Sequence, residues 1–380
     1  MRVIGLMSGT SVDGMDVALV DLAGQGYDLS AQLITGFTVP YPDSLRQQIL
    51  AVCAGQPLAL ADLAALDEAI AQQFALAAQQ AMAQVGPVDL VASHGQTVFH
   101  RPVQGPQLAY SMQLGRGASL ARWLGVPTVS NFRRADIDAG GEGAPLVPIV
   151  DLCLLSHPQQ RRCVQNIGGI GNVTYLPAWD RRQSPQPPAI LGWDTGPGNS
   201  LIDIAIATLS EGSLTYDADG AWAAQGTPCQ DLIEAWLRHP YLHQPPPKST
   251  GREQFGWDYF QTCYGQAQER GVGAMDLVAT FTAFTAATIA QAYRSFLPAL
   301  PEAILVGGGG SRNPVLMASL QGHFPDIPVT ATDAAGLPAG DKEAIAFAVL
   351  GYWRWHRFPG NLPAVTGART ATLLGDLHYP

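Results

Sequence analysis

The sequence has few charged side chains and almost no lysine. Charged residues make up 14% of its 380 positions, whereas hydrophobic residues make up 47%. A chain of this length and composition can bury large apolar cores, so disorder is excluded and two domains are expected. Only Lys248 and Lys342 are lysines, and 31 acidic against 21 basic residues give a net charge of −10. This charge argues against a nucleic-acid-binding protein, because no basic surface would neutralise the phosphates.

Cysteine is also scarce, and no two cysteines are close in the sequence. The five cysteines are odd in number and include no CxxC pair: Cys53, Cys153, Cys163, Cys229 and Cys263. A disulfide framework and a zinc site are therefore not expected, and a reducing compartment is the simplest interpretation.

No segment has the pattern of a signal peptide or a membrane span. The start, MRVIGLMSGT, carries one charge and has no long apolar run before its turn residues. The longest apolar stretch, residues 277–293, contains four threonines and a glutamine, which predicts a buried helix. We therefore expect a soluble, cytoplasmic protein that binds neither membrane nor nucleic acid.

Several common catalytic motifs are missing. The sequence contains no GxxxxGK[ST], no GxGxxG and no HExxH. A P-loop NTPase, the usual dinucleotide fingerprint and a zincin are therefore excluded. His239 and His243 are separated by Pro240, which breaks their helical face, so solvated loop histidines are favoured over a metal pair.

Two similar stretches begin the two halves of the chain. Apolar strand formers at residues 3–7 and 15–20 surround SGTSVDG, and those at residues 162–167 and 173–176 surround GGIGN. Glycine and polar turns between such runs predict β-hairpins. We expect two related α/β domains, 1–145 and 146–380, with a Pro-rich insertion at 211–253 and a C-terminal tail that is a candidate to return to the first domain.

The first candidate ligand loop is the turn at residues 9–16, GTSVDGMD. A tight turn rich in Gly, Ser and Thr exposes N–H groups and hydroxyls in one concavity, which suits phosphate oxygens. Asp13 is in addition a candidate to hold a metal-bound water. An ordinary hairpin, with Asp and Gly satisfying turn geometry, explains the same residues.

The second candidate loop is GWDTGPGN, at the end of a predicted strand and the start of a predicted helix. Helix N-termini attract anions, and Gly196 and Gly198 let a ligand approach the backbone. Asp194, at the carboxyl end of the strand, is well placed as a general base. The alternative is an Asx-type cap of the following helix.

The third candidate loop is GGGGSRNP, which follows an apolar strand. Four consecutive glycines, residues 307–310, leave room for a flat ring such as adenine against the backbone. A packing role alone would seldom need four glycines, because each costs backbone entropy. A ligand site is therefore favoured here.

Together the three loops resemble the phosphate-1, phosphate-2 and adenosine signatures of the actin, heat-shock ATPase and sugar-kinase superfamily. A closer resemblance, over residues 2–352, is to 1,6-anhydro-N-acetylmuramic acid kinases. It rests on GLMSGTSVDGMDVALVD, ASHGQTVFH, NFRRADIDAGGEGAPLVP, QNIGGIGNVT, WDTGPGN, PPKSTGRE, VGGGGSRNP and DKEAIAFAVLG. The resemblance implies an α/β fold of two ribonuclease-H-like domains, with a nucleotide and sugar cleft between them.

The resemblance also implies a reaction. Such kinases use ATP and water to open the anhydro ring of 1,6-anhydro-N-acetylmuramate and phosphorylate O6, giving N-acetylmuramate 6-phosphate in peptidoglycan recycling. Because O6 starts as an ether, water must attack the anomeric carbon before O6 can attack the γ-phosphate. By resemblance Asp194 is the base that takes the proton of this water. Mg²⁺ is expected to bind mainly through ATP phosphates and water, with no certain protein ligand, and a homodimer is expected.

The resemblance extends to the ligand-binding residues. We expect the nucleotide to contact Gly9, Thr10, Ser11, Val12, Asp13, Gly14, Met15, Asp16, Asn166, Gly168, Gly169, Gly196, Gly198, Asn199, Gly307, Gly308 and Gly309. The sugar candidates are His94, Gln96, Thr97, Arg133, Asp136 and Glu343. An arginine suits the lactyl carboxylate of the sugar, although a surface ion pair with Asp136 or Asp138 is an alternative. For Glu343, a capping box at the last helix is the alternative.

Two other functions compete with this hypothesis. An ordinary sugar kinase would keep the fold and use Asp194 to deprotonate a substrate hydroxyl. An ATP-binding switch or filament protein would show nucleotide turnover without dependence on a sugar. The loop containing Lys248 and Arg252 is a candidate either to close over nucleotide or to stabilise a dimer.

Overall fold

The computed structural model describes residues 1–9, 11–103 and 107–380. Its strands are β1 (Arg2–Ser8), β2 (Gly14–Gln25), β3 (Asp28–Pro40), β4 (Leu90–Arg101), β5 (Tyr110–Leu114), β6 (Thr128–Ser130), β7 (Arg162–Ile167), β8 (Ile170–Leu176), β9 (Leu191–Pro197), β10 (Ala303–Gly307), β11 (Val329–Ala331) and β12 (Asp376–His378). Its helices are α1 (Asp43–Cys53), α2 (Leu60–Val85), α3 (Gly117–Leu124), α4 (Arg134–Asp138), α5 (Pro148–Leu155), α6 (Ser200–Leu209), α7 (Gln230–Trp236), α8 (Arg252–Phe255), α9 (Trp257–Glu269), α10 (Ala274–Phe296), α11 (Pro314–His323), α12 (Lys342–Trp355) and α13 (Pro363–Thr366). The predicted α/β class is confirmed.

Residue contacts divide the chain into two compact units. The first unit contains Met1–Leu154 and Asp341–Pro380, and the second contains Leu155–Gly340. Each unit holds one sheet, of seven and five strands respectively. These are units of packing, and the domain assignment 1–145 and 146–380 stays a prediction.

The sheet of the first unit has the strand order β12-β6-β4-β1-β2-β3, and β5 pairs with β4. The strands β1, β2 and β3 are antiparallel, whereas β4 is parallel to both β1 and β6. Six of the seven residues of β1 are buried, as expected for a central strand covered on both faces. Helix α12 packs on β1 so closely that a Cβ at Gly5 would meet the Ala344 carbonyl oxygen, which explains the glycine.

The sheet of the second unit repeats this arrangement. Its order is β11-β10-β7-β8-β9, with β7, β8 and β9 antiparallel and β10 parallel to β7 and β11. The hairpin β7–β8 therefore corresponds to β1–β2, as the paired glycine turns of the sequence predict. Helix α10 covers the predicted apolar stretch 277–293, of which 15 of the 17 residues are buried. Within the described residues, no helix combines the length and apolarity that crossing a bilayer requires.

The segment 211–253 is more ordered than the predicted loop. It contains α7, and three of its large side chains, Trp236, Tyr241 and Leu242, are buried. The physical reason is the helical spacing of Leu232, Ile233 and Trp236, which gives α7 an apolar face that packs into the core of the second unit.

Candidate active site

The carboxylate of Asp194 lies in β9 and is held by a neighbouring chain segment. The Thr250 N–H donates to Asp194 Oδ2 at 2.9 Å, and the Tyr241 hydroxyl donates to the Asp194 carbonyl at 2.8 Å. Burial raises the pKa of Asp194 to about 7; the Thr250 N–H opposes this rise, Glu253 adds to it, and Lys248 also opposes it. A carboxyl group with such a pKa exchanges a proton readily near neutral pH, as a general base must.

Two of the predicted glycine loops meet in the second unit. The N–H groups of Gly198 and Asn199 donate to the carbonyls of Gly169 and Gly168 at 2.9 and 2.8 Å, and the Ser200 N–H donates to Gly169 at 3.0 Å. A Cβ at Gly198 would lie 2.2 Å from the Gly168 carbonyl oxygen. The first N–H groups of α6 therefore hold the β7–β8 hairpin, and this use was not foreseen from the sequence.

The third glycine loop lies beside the same hairpin. Gly307 is opposite Asn166 in the pairing of β10 with β7. Gly308 has φ +79°, and a Cβ there would lie 2.7 Å from Asn166 Oδ1. The Cβ position of Gly309 lies 3.9 Å from Asn199 Nδ2, whereas that of Gly169 has no atom within 4 Å. The structure thus brings together the predicted nucleotide residues of this unit around an open hairpin.

Gly196 differs from these glycines. It has φ +132°, and a Cβ there would come within 3.0 Å of Leu242 and 3.4 Å of Thr288. Packing against these two side chains explains the glycine without a ligand.

The first predicted phosphate loop joins β1 to β2 in the first unit. Thr10 lies outside the described residues. The Ser11 hydroxyl donates to Asp13 Oδ1 at 2.9 Å, and Val12 has φ +54°. The side chains of Val12 and Met15 are fully buried in the apolar core, so only their backbone is available to a nucleotide.

Gln96 supports this loop from the neighbouring strand. The SHGQT cluster, residues 93–97, lies inside β4, which continues to Arg101. Ser8 Oγ donates to Gln96 Oε1 at 2.6 Å, and Gln96 Nε2 donates to the carbonyls of Gly9 and Thr97 at 3.2 and 3.1 Å. Gln96 is fully buried, and both its amide oxygen and its amide nitrogen bind groups of the protein, so the amide supports the loop.

Asp16, at the start of β2, carries the second raised carboxyl group. Burial raises its pKa to about 6; a hydrogen bond from Thr38, at 2.6 Å, opposes this, and the charges of Asp13, Glu343 and Asp341 add to it. This negative surrounding favours a cation close to the first loop.

His94 orients Arg133. His94 Nδ1–H donates to the Gly95 carbonyl at 2.8 Å, and Arg133 Nε donates to His94 Nε2 at 3.1 Å. Burial, followed by the charge of Arg133, holds the pKa of His94 well below its usual value, so the ring is neutral and both nitrogens are used. Burial also lowers the pKa of Arg133 to about 10, although the charges of Glu343 and Asp136 raise it.

Asp136 is held inside the first unit. Its Oδ1 accepts hydrogen bonds from Asn361 Nδ2 and Thr366 Oγ1, both at 2.6 Å, and its Oδ2 accepts one from the Gly143 N–H at 2.8 Å. The side chain is fully buried. Asp136 therefore ties Asn361 and Thr366 to the loop after α4.

Arg134, Glu343 and Thr97 each interact with other groups of the protein. The surface ion pair forms between Arg134 and Asp138, at 2.9 Å, and not through Arg133. Glu343 is the second residue of α12, one position before that of a capping box, and its charge acts on Arg133. Thr97 is half-buried, and its hydroxyl accepts a hydrogen bond from Gln113 at 3.1 Å.

A pocket of about 370 Å³ opens in the first unit beside His94. Its wall includes groups of both signs and neutral donors: Asp67, Gly95, Arg116, Ser130 and His378. Such a mixed polar lining suits a small hydroxylated molecule. Among the described residues, no group of three or more His, Cys, Asp or Glu is arranged to hold a metal ion.

Comparison with known proteins supplies the context for these residues. A family model described as "Anhydro-N-acetylmuramic acid kinase" matches residues 1–380. Proteins of that name from Cyanothece sp. and Acaryochloris marina are 58% and 59% identical to the chain, covering 100% of both sequences in each case. The solved activator of the 2-hydroxyisocaproyl-CoA dehydratase from Clostridium difficile, with bound ADPNP, is 11% identical, covers 94% of this chain and 96% of its own, and has a TM-score of 0.44, too low to support an argument.

Proposed function

Because the chain belongs to the anhydro-N-acetylmuramic acid kinase family, we propose that it opens the 1,6-anhydro ring of 1,6-anhydro-N-acetylmuramate with water and transfers a phosphoryl group from ATP to O6. The product is N-acetylmuramate 6-phosphate, an intermediate of peptidoglycan recycling. The observation that carries the proposal is the half-buried Asp194 carboxylate, which one backbone N–H holds and whose pKa is about 7.

The reaction requires a base that removes a proton from water and not from the sugar. O6 of the anhydro ring carries no proton, so the transferred phosphoryl group meets a nucleophile only after the C1–O6 bond breaks. Asp194 takes a proton from water as the water oxygen bonds to C1, and O6 leaves C1 with the electron pair that forms its bond to the γ-phosphorus. The bond from the γ-phosphorus to the bridging oxygen breaks, and ADP leaves with that electron pair. Neutral pH leaves a large share of Asp194 ionised and ready for this step.

We assign the nucleotide to the glycine loops. In the first unit, the backbone of residues 9–16 binds the β- and γ-phosphates, and Gln96 holds that loop in shape. In the second unit, residues 307–309 take the adenosine and the β7–β8 hairpin takes phosphate oxygens. The open space at Gly169 supports this assignment, because a ligand can approach its backbone without meeting a side chain.

We assign the lactyl carboxylate of the sugar to Arg133. Its Nε is fixed by His94 and its Nη1 donates to the Gly143 carbonyl at 2.7 Å, which orients the planar group for a carboxylate. Thr97 and Glu343 remain candidates for the sugar hydroxyls. Because Asp136 is enclosed by its own hydrogen bonds, we assign it a structural role.

We place Mg²⁺ beside the first loop, bound mainly through ATP phosphates and water. The charges of Asp13, Asp341 and Glu343 add to the rise in the pKa of Asp16 there, and a divalent cation held by the phosphates would relieve this repulsion. When bound, the ion neutralises charge on the ATP phosphates. We also propose a homodimer and a cytoplasmic location. In support of that location, no cysteine forms a disulfide in the described part of the chain.

Product analysis tests the proposed function. The protein is mixed with ATP, Mg²⁺ and 1,6-anhydro-N-acetylmuramate, and the sugar is examined by ³¹P NMR and mass spectrometry. We expect a ring-opened 6-phosphate. A phosphorylated sugar that keeps its anhydro ring would instead indicate an ordinary hydroxyl kinase, and ATP turnover without any phosphorylated sugar would indicate a switch protein.

A further inference from the structure

The segment 248–250 contacts Asp194 although the reaction assigns it no part. Its side-chain anchor is Lys248, one of only two lysines in the chain. Lys248 Nζ donates to the carbonyls of Tyr241 and Leu242 at 3.1 and 3.4 Å. The same ammonium lies 4.7 Å from the ring centroid of Tyr241 and 4.6 Å from that of Phe296. Two carbonyls and two aromatic faces thus fix the cation on the protein itself.

The backbone on either side of this anchor reaches Asp194. The Asp194 N–H donates to the Lys248 carbonyl at 3.3 Å, and the Thr250 N–H donates to Asp194 Oδ2 at 2.9 Å. The Tyr241 carbonyl accepts a hydrogen bond from the Lys248 ammonium, and the Tyr241 ring lies against the same ammonium. The Tyr241 hydroxyl donates to the Asp194 carbonyl. The Lys248 ammonium, the segment 248–250 and the strand β9 are therefore joined in one hydrogen-bond network.

We propose that Lys248 is a positioning residue for the general base: it anchors the segment 248–250, so that the Thr250 N–H holds Asp194 Oδ2 and Oδ1 is left to accept the proton of water. The inference rests on the proposed function for its catalytic consequence. Its structural content, the fixed orientation and ionisation of one carboxylate, is independent of the substrate.

The electrostatic consequence has a definite sign. The groups that act on Asp194 are the Thr250 N–H and Lys248, which favour its ionised form, and Glu253, which disfavours it. The Tyr241 hydroxyl is a neutral donor to its main chain. Removing the Lys248 charge, or the N–H that this residue positions, therefore raises the pKa of Asp194. Activity should fall most on the acidic side of the pH profile, where the base becomes protonated.

The first experiment compares Lys248→Met with Lys248→Arg. We expect Lys248→Met to lower kcat by about 10- to 100-fold, with little change in the KM for ATP, because the base is misplaced rather than the nucleotide. The acid limb of the kcat profile should move to higher pH by about half a unit or more. Lys248→Arg keeps the charge and should recover part of both effects. Arg270→Met removes an exposed cation of the same unit and should match the wild type.

A second pair of variants isolates the hydrogen bond. Thr250→Pro removes the N–H that bonds Asp194 Oδ2, whereas Thr250→Ala keeps it and removes only the hydroxyl. We expect Thr250→Pro to lower kcat and shift the acid limb like Lys248→Met, and Thr250→Ala to stay close to the wild type. This pair also decides the question if Lys248→Met does not fold, as judged by circular dichroism.

A substrate-free readout separates this inference from the proposed function. The Asp194 carboxyl is titrated by ¹³C NMR in protein labelled at aspartate, with Asp194→Asn assigning the signal. An upward shift of this pKa in folded Lys248→Met supports the positioning role even if the wild type opens no anhydro sugar, a result that would remove only the proposed function. Folded Lys248→Met with an unchanged Asp194 pKa, an unmoved acid limb and kcat within about twofold of the wild type would overturn the inference.

Discussion

Each of the two units contains a carboxyl group with a raised pKa, Asp16 in the first and Asp194 in the second, and these two groups differ in what surrounds them. Burial is the largest cause of both shifts, which take Asp194 to a pKa of about 7 and Asp16 to about 6. Asp194 interacts with one negative charge, Glu253, and one positive charge, Lys248, whereas Asp16 interacts with three further carboxyl groups. Under the proposed function, the nearly balanced charges around Asp194 suit a base that exchanges a proton, and the excess of negative charge around Asp16 suits a nearby cation.

The loop between β1 and β2 and the loop between β7 and β8 also differ in the groups that support them. Both units have three antiparallel strands followed by parallel ones, and each places a loop between its first two strands. The loop of the first unit depends on a side chain, Gln96, from β4. That of the second unit depends on backbone N–H groups of residues 198–200. The first loop should therefore be disrupted by removal of the Gln96 side-chain amide, and the second by a methyl group added at Gly198.

The largest expected effect distinguishes the two carboxylates. Asp194→Asn removes the base and should lower the rate of sugar phosphorylation by about 10²- to 10⁴-fold, with the KM for ATP nearly unchanged. Asp16→Asn should mainly raise the Mg²⁺ and ATP concentrations that give half of the maximal rate. Steady-state kinetics in which the Mg²⁺ and ATP concentrations are each varied distinguish the two variants. A larger loss of rate in Asp16→Asn than in Asp194→Asn would reverse the assigned roles.

The next effect tests the backbone-supported loop. Gly198→Ala places a Cβ against the Gly168 carbonyl and should destabilise the protein by about 1–3 kcal/mol. Gly169→Ala meets no atom within 4 Å, so its stability should stay within about 0.5 kcal/mol of the wild type while its KM for ATP rises. Urea unfolding and ATP titration measure both. Equal stability losses in the two variants would contradict the described packing.

The side-chain-supported loop gives a smaller effect. Gln96→Ala removes one of the two partners of the Ser8 hydroxyl and one of the two partners of the Gly9 carbonyl. It should cost about 1–2 kcal/mol of stability and raise the KM for ATP. Gln84→Ala, on the exposed side of α2, is the control. A rise in the KM for the sugar without a rise in the KM for ATP would indicate that Gln96 contacts the sugar, as the sequence resemblance predicts.

The smallest effect is a pH dependence of stability. The pKa of Asp16 is raised from 3.8 to about 6, so the folded protein binds a proton more tightly than the unfolded chain does. Ionisation of Asp16 therefore costs folding free energy as pH rises from about 4 to 7, and Asp16→Asn removes that cost. The variant should gain about 1 kcal/mol over the wild type across this range, after discounting for solvent. Thermal unfolding of the free protein measures it. A difference that stays constant between about pH 4 and 7 would argue against a buried Asp16.

Local patterns in the sequence predict the hairpins, the helix α10 and the glycine loops, because each depends on residues close together in the chain. They do not reveal β3, although its 13 residues have an alternating burial pattern. Nor do they reveal what Gln96 and Asp136 bind. The partner of Gln96 is 88 residues away, at Ser8, and one partner of Asp136 is 230 residues away, at Thr366. Only the folded structure shows that these polar groups bind the protein.

Oxygen labelling tests the central claim most directly. The reaction is run in water enriched in ¹⁸O with ATP, Mg²⁺ and 1,6-anhydro-N-acetylmuramate, and the product is fragmented in the mass spectrometer before its anomeric oxygen exchanges. The account predicts one solvent oxygen at C1 and none in the phosphate ester bridge at C6. A phosphorylated sugar without solvent oxygen at C1 would contradict the role of Asp194 as the base that activates water.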